Sequence, residues 1–132
     1  MTYFSAPNMQ MTYADVEGCI GFQAVGLIPV RPRSSGLFPV PGWTDENEWS
    51  GYVAFEDMPW VKNPQKGYIV AANNLTVTPN YPYVIDPDAS PGYRARRILE
   101  MIDQGGTDFI VEDIRPCRGM TCAIQLLRSC PF

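Results

Sequence analysis

Apolar and polar residues alternate in two short stretches near the start of the chain. The apolar members are Met9, Met11 and Tyr13 in the first stretch and Ile20, Phe22 and Ala24 in the second. Alternation with a period of two is typical of β-strands, and the turn-like residues 15–18 lie between the two stretches. The pattern therefore predicts a β-hairpin over residues 8–24.

The next part of the chain is rich in turn-forming residues. Four prolines fall between residues 29 and 41, with Ser-Ser-Gly among them. Proline and glycine interrupt strands and helices, so little regular structure is expected before Trp49. A short strand is expected within residues 48–55.

An apolar run over residues 67–72 stands between turn signals and predicts a buried strand. The strand is expected to end at Asn73 and Asn74. A turn-rich stretch with three prolines follows over residues 76–89. A compact domain keeps such a long connection where the segment covers or binds something.

The pattern of apolar positions changes to a helical period after residue 90. Ser90 suits the helix N-cap and Pro91 the first helical position. The apolar residues that then fall on one helix face are Ala95, Ile98, Leu99 and Ile102. We expect this helix to end at Gly105 and a second short helix to follow over residues 107–113.

Composition and charge exclude several classes of function. The chain has 132 residues and a formal net charge of −4, which argues against a broad nucleic-acid surface. No stretch approaches the roughly 20 apolar residues of a membrane span. Residues 1–10 lack both a basic start and an apolar core, so no signal peptide is expected in this chain. Nucleic acid and membrane are therefore excluded as partners.

The chain contains no histidine, and this restricts the catalytic chemistry. Serine and cysteine hydrolases usually take the nucleophile's proton with an imidazole, so those triads are excluded. An α-amine is the standard alternative base for a hydroxyl nucleophile. Cys19 stands apart from three cysteines near the C-terminus, without a CxxC pair, which leaves disulfides and ordinary thiols both open.

Three stretches carry a family resemblance. Residues 13–23 read Tyr-Ala-Asp-Val-Glu-Gly-Cys-Ile-Gly-Phe-Gln, and Pro-Val-Pro-Gly-Trp at 39–43 runs on to Glu-Trp-Ser-Gly-Tyr at 48–52. The third stretch combines Gly-Tyr-Ile-Val-Ala-Ala-Asn-Asn at 67–74, Tyr-Pro at 81–82 and Pro-Gly-Tyr-Arg-Ala-Arg-Arg-Ile at 91–98. In this order and spacing, the chain resembles the penicillin acylase family of N-terminal nucleophile amidohydrolases.

The resemblance implies an α+β fold, as a fragment of a four-layer αββα sandwich. It implies a precursor that cuts itself into α and β chains and exposes a serine whose own α-amine is the base. Residues 1–114 correspond to an internal part of the β chain, and residues 115–132 form an unmatched tail. The implied partners are an acylated amine substrate and the rest of the α/β heterodimer or precursor, in a periplasmic or secreted location.

Two residues align with functional residues of the family. Asn73 aligns with an asparagine whose side-chain amide donates to the oxyanion, and Arg94 aligns with an arginine that orients the active centre. A fixed neutral donor lowers the barrier without a proton transfer. The alternatives are that Asn73 forms an ordinary turn, and that Arg94 is a solvated or ion-paired residue. For Arg96 and Arg97 we expect a solvated face or pairing with acids such as Glu100.

The family also implies a structural calcium ion in the intact enzyme, but no cofactor is expected in this fragment. Asp86 and Asp88 are tempting oxygen ligands, although Asp-Pro-Asp is also an ordinary turn. Trp43, Trp49 and Trp60 are expected in the core, with the lining of an acyl pocket as the alternative.

The serine nucleophile of the family is absent, since residue 1 is Met and Ser5 is not a credible substitute. We therefore expect the chain to be an internal part of a hydrolase of linear amide bonds, inactive on its own. Its substrate would be an acylated amine such as a β-lactam antibiotic or an acyl-homoserine lactone. The alternatives are a non-catalytic binding module and an inactive truncated gene product.

Overall fold

The computed structural model of the chain describes residues 3–31, 33 and 36–105, together with the backbone of one strand at 123–126. Seven strands and one α-helix are present in this part. They are β1 (Met9–Ala14), β2 (Ile20–Val25), β3 (Pro29–Val30), β4 (Gly51–Tyr52), β5 (Trp60–Lys62), β6 (Tyr68–Ala71), α1 (Tyr93–Gly105) and β7 (Ala123–Leu126). The second helix predicted over residues 107–113 lies outside the described residues.

The predicted hairpin is confirmed as β1 and β2, which pair antiparallel with Thr12 opposite Phe22. Asp15 organises the turn, because its Oδ1 accepts hydrogen bonds from the backbone amides of Glu17 (3.0 Å) and Cys19 (2.9 Å). The Tyr13 hydroxyl donates to Asp15 Oδ2 at 2.7 Å. This hydrogen bond, with those from the turn amides, lowers the pKa of the Asp15 carboxyl below its ordinary value of 3.8.

The register of the hairpin decides which face of β1 points inward. Directly opposed residues of an antiparallel pair lie on the same face of the sheet. Gln10 stands opposite Ala24, and Thr12 opposite Phe22, both of which are buried. The polar positions of β1 therefore share the inner face, whereas Tyr13 is 53% exposed. The apolar alternation of β1 correctly indicates a strand without marking the buried side.

Strand β5 extends the hairpin into a three-stranded sheet in the order β1-β2-β5. Two further pairs are antiparallel: β3 with β4, and β6 with β7. The strand expected within residues 48–55 is the two-residue β4, and the buried strand expected at 67–72 is β6. Short 3₁₀ turns at Asp45–Asn47 and Phe55–Asp57 punctuate the irregular middle of the chain.

The turn-rich connection after β6 covers the core, in agreement with one of the two roles expected of it. Tyr83 and Ile85 pack against the main apolar cluster. The connection is also held by hydrogen bonds to Asp57, because the Tyr81 hydroxyl donates to its backbone carbonyl and the Tyr83 hydroxyl to its Oδ2 at 3.3 Å. The Tyr81 and Tyr83 rings meet edge to face, 5.9 Å between centroids.

The predicted helix is confirmed as α1, with a later start than expected. It begins at Tyr93 instead of Pro91, and Gly92 accepts the hydrogen bond from the Arg96 amide at 2.8 Å. Gly92 thus takes the N-cap position, where glycine ranks close to threonine and well above the aliphatic residues. The described helix extends to Gly105, where the sequence predicts its end.

Two apolar clusters form the core. One is built from the sheet and the segments beside it: Ile20, Phe22, Ala24, Ile28, Val53, Met58 and Ile69. The other joins α1 to the end of β6 through Ala72, Ala95, Ile98 and Ile102. The described part is a mixed strand-and-helix unit, in agreement with an α+β fragment. None of its helices is long and apolar enough to cross a membrane.

Candidate functional site

The candidate site lies where the buried strand β6 ends. Ile69 and Ala72 are buried, whereas Asn73 immediately after them is exposed. Asn73 has a φ of 57°, in the left-handed region that asparagine tolerates better than most residues. The chain therefore turns sharply at Asn73 and presents its carboxamide at the surface.

The neighbouring Asn74 fixes this turn through two hydrogen bonds. Its Oδ1 accepts from the Ala72 amide at 3.0 Å, so the side chain satisfies backbone left unpaired at the strand end. Its backbone carbonyl accepts from Gln10 Nε2 at 2.8 Å. Gln10 comes from β1, so the turn at residues 73–74 is tied to the sheet as well as to its own strand.

Arg94 reaches Asn73 from the first turn of α1. Its Nη2 donates to Asn73 Oδ1 at 2.7 Å, which brings together the two site residues that the sequence predicts. Because a guanidinium has donors only, the amide oxygen must face it, and Nδ2 is then directed elsewhere. The hydrogen bond therefore selects one of the two orientations of the carboxamide.

The other arginines of α1 behave differently. Arg97 pairs with Glu100 at 3.1 Å on an exposed face, as expected from the sequence, and Arg96 is exposed. Such a surface pair contributes little to stability, because water screens both charges. Arg94 is half-buried by comparison.

A cavity of about 680 Å³ opens beside Asn73. Its apolar lining includes Val25, Ile28 and Ile85, and the polar residues Gln10 and Asn73 also border it. Small-molecule sites commonly combine an apolar wall with a few polar groups that fix orientation. The cavity has the size and the mixed lining of such a site.

The tryptophans are not where the sequence analysis expects them. Trp43, Trp49 and Trp60 are 85%, 57% and 65% exposed, so the prediction of core positions is wrong for all three. None of them lines the described cavity either. The Arg31 guanidinium carbon instead lies over the Trp49 ring, 5.7 Å from the ring centroid, and the Trp49 and Tyr52 rings meet edge to face. Aromatic content alone does not distinguish a core residue from one on an open loop.

Asp86 and Asp88 form a turn, in which the Asp88 amide donates to Asp86 Oδ1 at 3.2 Å. Asp86 also borders the cavity. Among the residues that the structure describes, no three side chains of the types that hold metals come together. The structural calcium of the intact enzyme stays a prediction.

Comparison with known proteins identifies the family. Residues 1–120 match the Penicillin amidase family. Penicillin acylase 2 proenzyme from Pseudomonas sp. (strain SE83) is 46% identical over 117 residues, which cover 87% of this chain and 15% of that protein. The chain belongs to the penicillin amidase family.

Two other relatives of the chain carry different names. Acyl-homoserine lactone acylase QuiP from Pseudomonas syringae pv. tomato is 32% identical over 78% of the chain and 12% of that protein. Penicillin G acylase from Escherichia coli is 48% identical over 47% of the chain and 7% of that protein. The chain thus spans a small part of the length of each penicillin amidase relative.

Sequence reasoning misses the roles of two residues that the structure brings to this candidate site. Asn74 and Gln10 hold the turn at Asn73. The sequence predicts Asn74 only as a residue at the strand end, and it predicts no role for Gln10. The hairpin register carries a partial signal, because it puts the polar Gln10 on the same face as the buried Ala24. The partner of Gln10 lies 64 residues away, and no local pattern indicates it.

Proposed function

We propose that this chain is the part of an acylase that stabilises the oxyanion during hydrolysis of a linear amide bond. Substrates would be acylated amines of the kinds named for the relatives, penicillins or acyl-homoserine lactones. In this proposal Asn73 Nδ2 donates to the oxyanion and Arg94 holds the carboxamide in the donating orientation. We also propose a periplasmic or secreted location, as the family resemblance implies.

The observation that carries the proposal is the 2.7 Å hydrogen bond from Arg94 Nη2 to Asn73 Oδ1. In this proposal the guanidinium holds the amide oxygen, which would repel an oxyanion, and Nδ2 is the atom that donates toward the cavity. A donor held in place before reaction needs no reorganisation when negative charge develops. The geometry of this hydrogen bond supports the proposal. It also gives a reason for an arginine at position 94.

The covalent chemistry in this scheme belongs to an N-terminal serine elsewhere in the polypeptide. Its Oγ attacks the carbonyl carbon and its proton passes to the serine's own α-amine, forming a tetrahedral oxyanion. The C–N bond then breaks, the amine leaves with that proton, and water hydrolyses the acyl ester. Asn73 contributes to both tetrahedral steps, because each places negative charge on the same oxygen.

The test is Asn73→Ala in the complete precursor, compared with the unmodified enzyme after chain cleavage has been verified for both. We expect kcat to fall by about 10²–10³ and KM to change little, since one oxyanion donor contributes roughly that much. Asn80→Ala is the matched control, because it removes the same side chain from an exposed turn. Unchanged kcat in a cleaved Asn73→Ala enzyme would remove Asn73 from the mechanism.

A further inference from the structure

We propose that Gln10 is a positioning residue for amide hydrolysis, which fixes Asn73 through the backbone of Asn74. Gln10 Nε2 donates to the Asn74 carbonyl oxygen at 2.8 Å, and this hydrogen bond joins β1 to the turn that carries Asn73. The inference rests on the proposed function, because it concerns the orientation of the Asn73 side chain, the proposed oxyanion donor.

The turn needs such a support because its backbone is in an uncommon conformation. Asn73 at φ 57° lies in the left-handed region, which L-residues adopt only at an energetic cost. Conformations of this kind persist only when the surrounding structure holds them in place. The Asn74 side chain holds the turn toward Ala72, at the strand end, and Gln10 holds the carbonyl on the far side of Asn73. The direction of the Asn73 side chain follows from these two restraints.

The surroundings of Gln10 also indicate that its side chain does more than fill space in the core. Gln10 is half-buried on the inner face of β1, opposite the buried Ala24. A polar amide in such a place must be hydrogen-bonded, and an apolar residue of similar length would avoid that requirement. The hydrogen bond to Asn74 meets it. Gln10 also borders the cavity, so direct contact with substrate is the rival role.

Kinetics of Gln10→Leu in the complete, cleaved enzyme separate the two roles. Leucine removes the donor and keeps most of the volume. We expect kcat to fall about 10- to 100-fold with KM unchanged, because a misplaced catalytic group costs up to about 10²-fold per ångström. A residue that contacts substrate in the ground state would instead raise KM at constant kcat, and that result would overturn the proposal.

Gln23→Leu is the matched control. Gln23 lies on the adjacent strand, and its Nε2 donates to the carbonyl of its own neighbour Ala24 at 2.9 Å. The same substitution there removes an equivalent amide–carbonyl hydrogen bond without touching the Asn73 turn. We expect its kcat to match that of the unmodified enzyme. A loss equal to that of Gln10→Leu would overturn the specific link to Asn73.

Gln10→Glu supplies a second readout, the pH dependence of kcat, which would not change if Gln10 had only a structural role. The ionised carboxyl cannot donate, so kcat at neutral pH should fall at least as far as in Gln10→Leu. Below the carboxyl's pKa, about 4.3 in a free side chain, the O–H donates again. The kcat of Gln10→Glu relative to the unmodified enzyme should therefore rise as pH falls, while the circular dichroism spectrum stays constant.

The set of variants separates failure of this inference from failure of the proposed function. If Asn73→Ala loses turnover and both Gln10 variants keep it, only the role of Gln10 is refuted. If Asn73→Ala also keeps turnover, the oxyanion proposal fails and the role of Gln10 fails with it. If Gln10→Leu does not fold or is not cleaved, the pH ratio of Gln10→Glu decides, and a flat ratio overturns the proposal.

Discussion

Substitution of Arg94 tests whether this residue acts on catalysis through Asn73. Arg94→Met removes the guanidinium and keeps an unbranched side chain of similar reach. The lost hydrogen bond, 2.7 Å from Nη2 to Asn73 Oδ1, is one to a charged group, and such bonds contribute about 1.5–3 kcal/mol. Because Asn73 is exposed, water competes for its amide, and the lower end of that range applies.

A preference of about 1.5 kcal/mol corresponds to roughly a 10-fold bias toward the orientation that leaves Nδ2 available. Without it, the carboxamide populates both orientations and moves more freely. Loss of bias alone would cost about half of the turnover if both orientations became equal. A donor displaced by about an ångström loses up to about 10²-fold more. We therefore expect kcat of the cleaved enzyme to fall about 10- to 100-fold.

Single-turnover release of the amine product is the appropriate assay, because it isolates acyl transfer from product release. The decisive comparison is the double variant Asn73→Ala with Arg94→Met. If Arg94 acts through Asn73, the double variant should be no more than about threefold slower than Asn73→Ala, since residues in one network are not additive. This margin allows for a further interaction that Arg94 makes. Losses that multiply would refute the reasoning, and Arg96→Met is the exposed control.

Two further predictions concern the core and the hairpin. Ile98 has no exposed surface, so Ile98→Ala in the complete protein should lower the free energy of unfolding by about 2–5 kcal/mol, measured by urea denaturation. Tyr13→Phe removes the main cause of the depressed Asp15 pKa, so an NMR titration should show that pKa rising toward 3.8. A carboxyl whose pKa is lower in the folded than in the unfolded protein stabilises the fold at pH values above the unfolded-state pKa. This stabilisation is lost as pH falls through the folded-state pKa. Tyr13→Phe should therefore also reduce the loss of stability at acid pH. An unchanged titration would contradict this.

The regular elements follow closely from the sequence because each depends on a local pattern. The period of two predicts β1 and β2, the apolar run predicts β6, and the period of 3.6 predicts α1. The start of α1 differs by two residues, since Ser90, Pro91 and Gly92 are all acceptable near a helix start and side-chain patterns do not choose among them.

Residues far apart in the chain are less predictable. The family resemblance names Asn73 and Arg94 separately, but their hydrogen bond across 21 residues comes only from the packing of α1 against β6. The support from Gln10 is less visible still, because its partner is a backbone carbonyl that has no sequence signature. The exposed Trp43 shows the opposite problem, since an aromatic residue in a proline-rich segment fits both a core and a surface interpretation.

The position of Arg94 supports the proposal that this residue serves the candidate site more than the folding of the helix. A cation in the first turn of a helix opposes the helix dipole, at a cost of about 0.3–1 kcal/mol. The hydrogen bond to Asn73 more than offsets this cost, but a neutral donor would do so without the penalty. The small residues Ala72 and Ala95 belong to one buried cluster, so α1 lies close enough to the end of β6 for Arg94 to reach. A locally unfavourable charge, held in place by close packing beside an exposed carboxamide, is the kind of compromise that folded proteins make at functional positions.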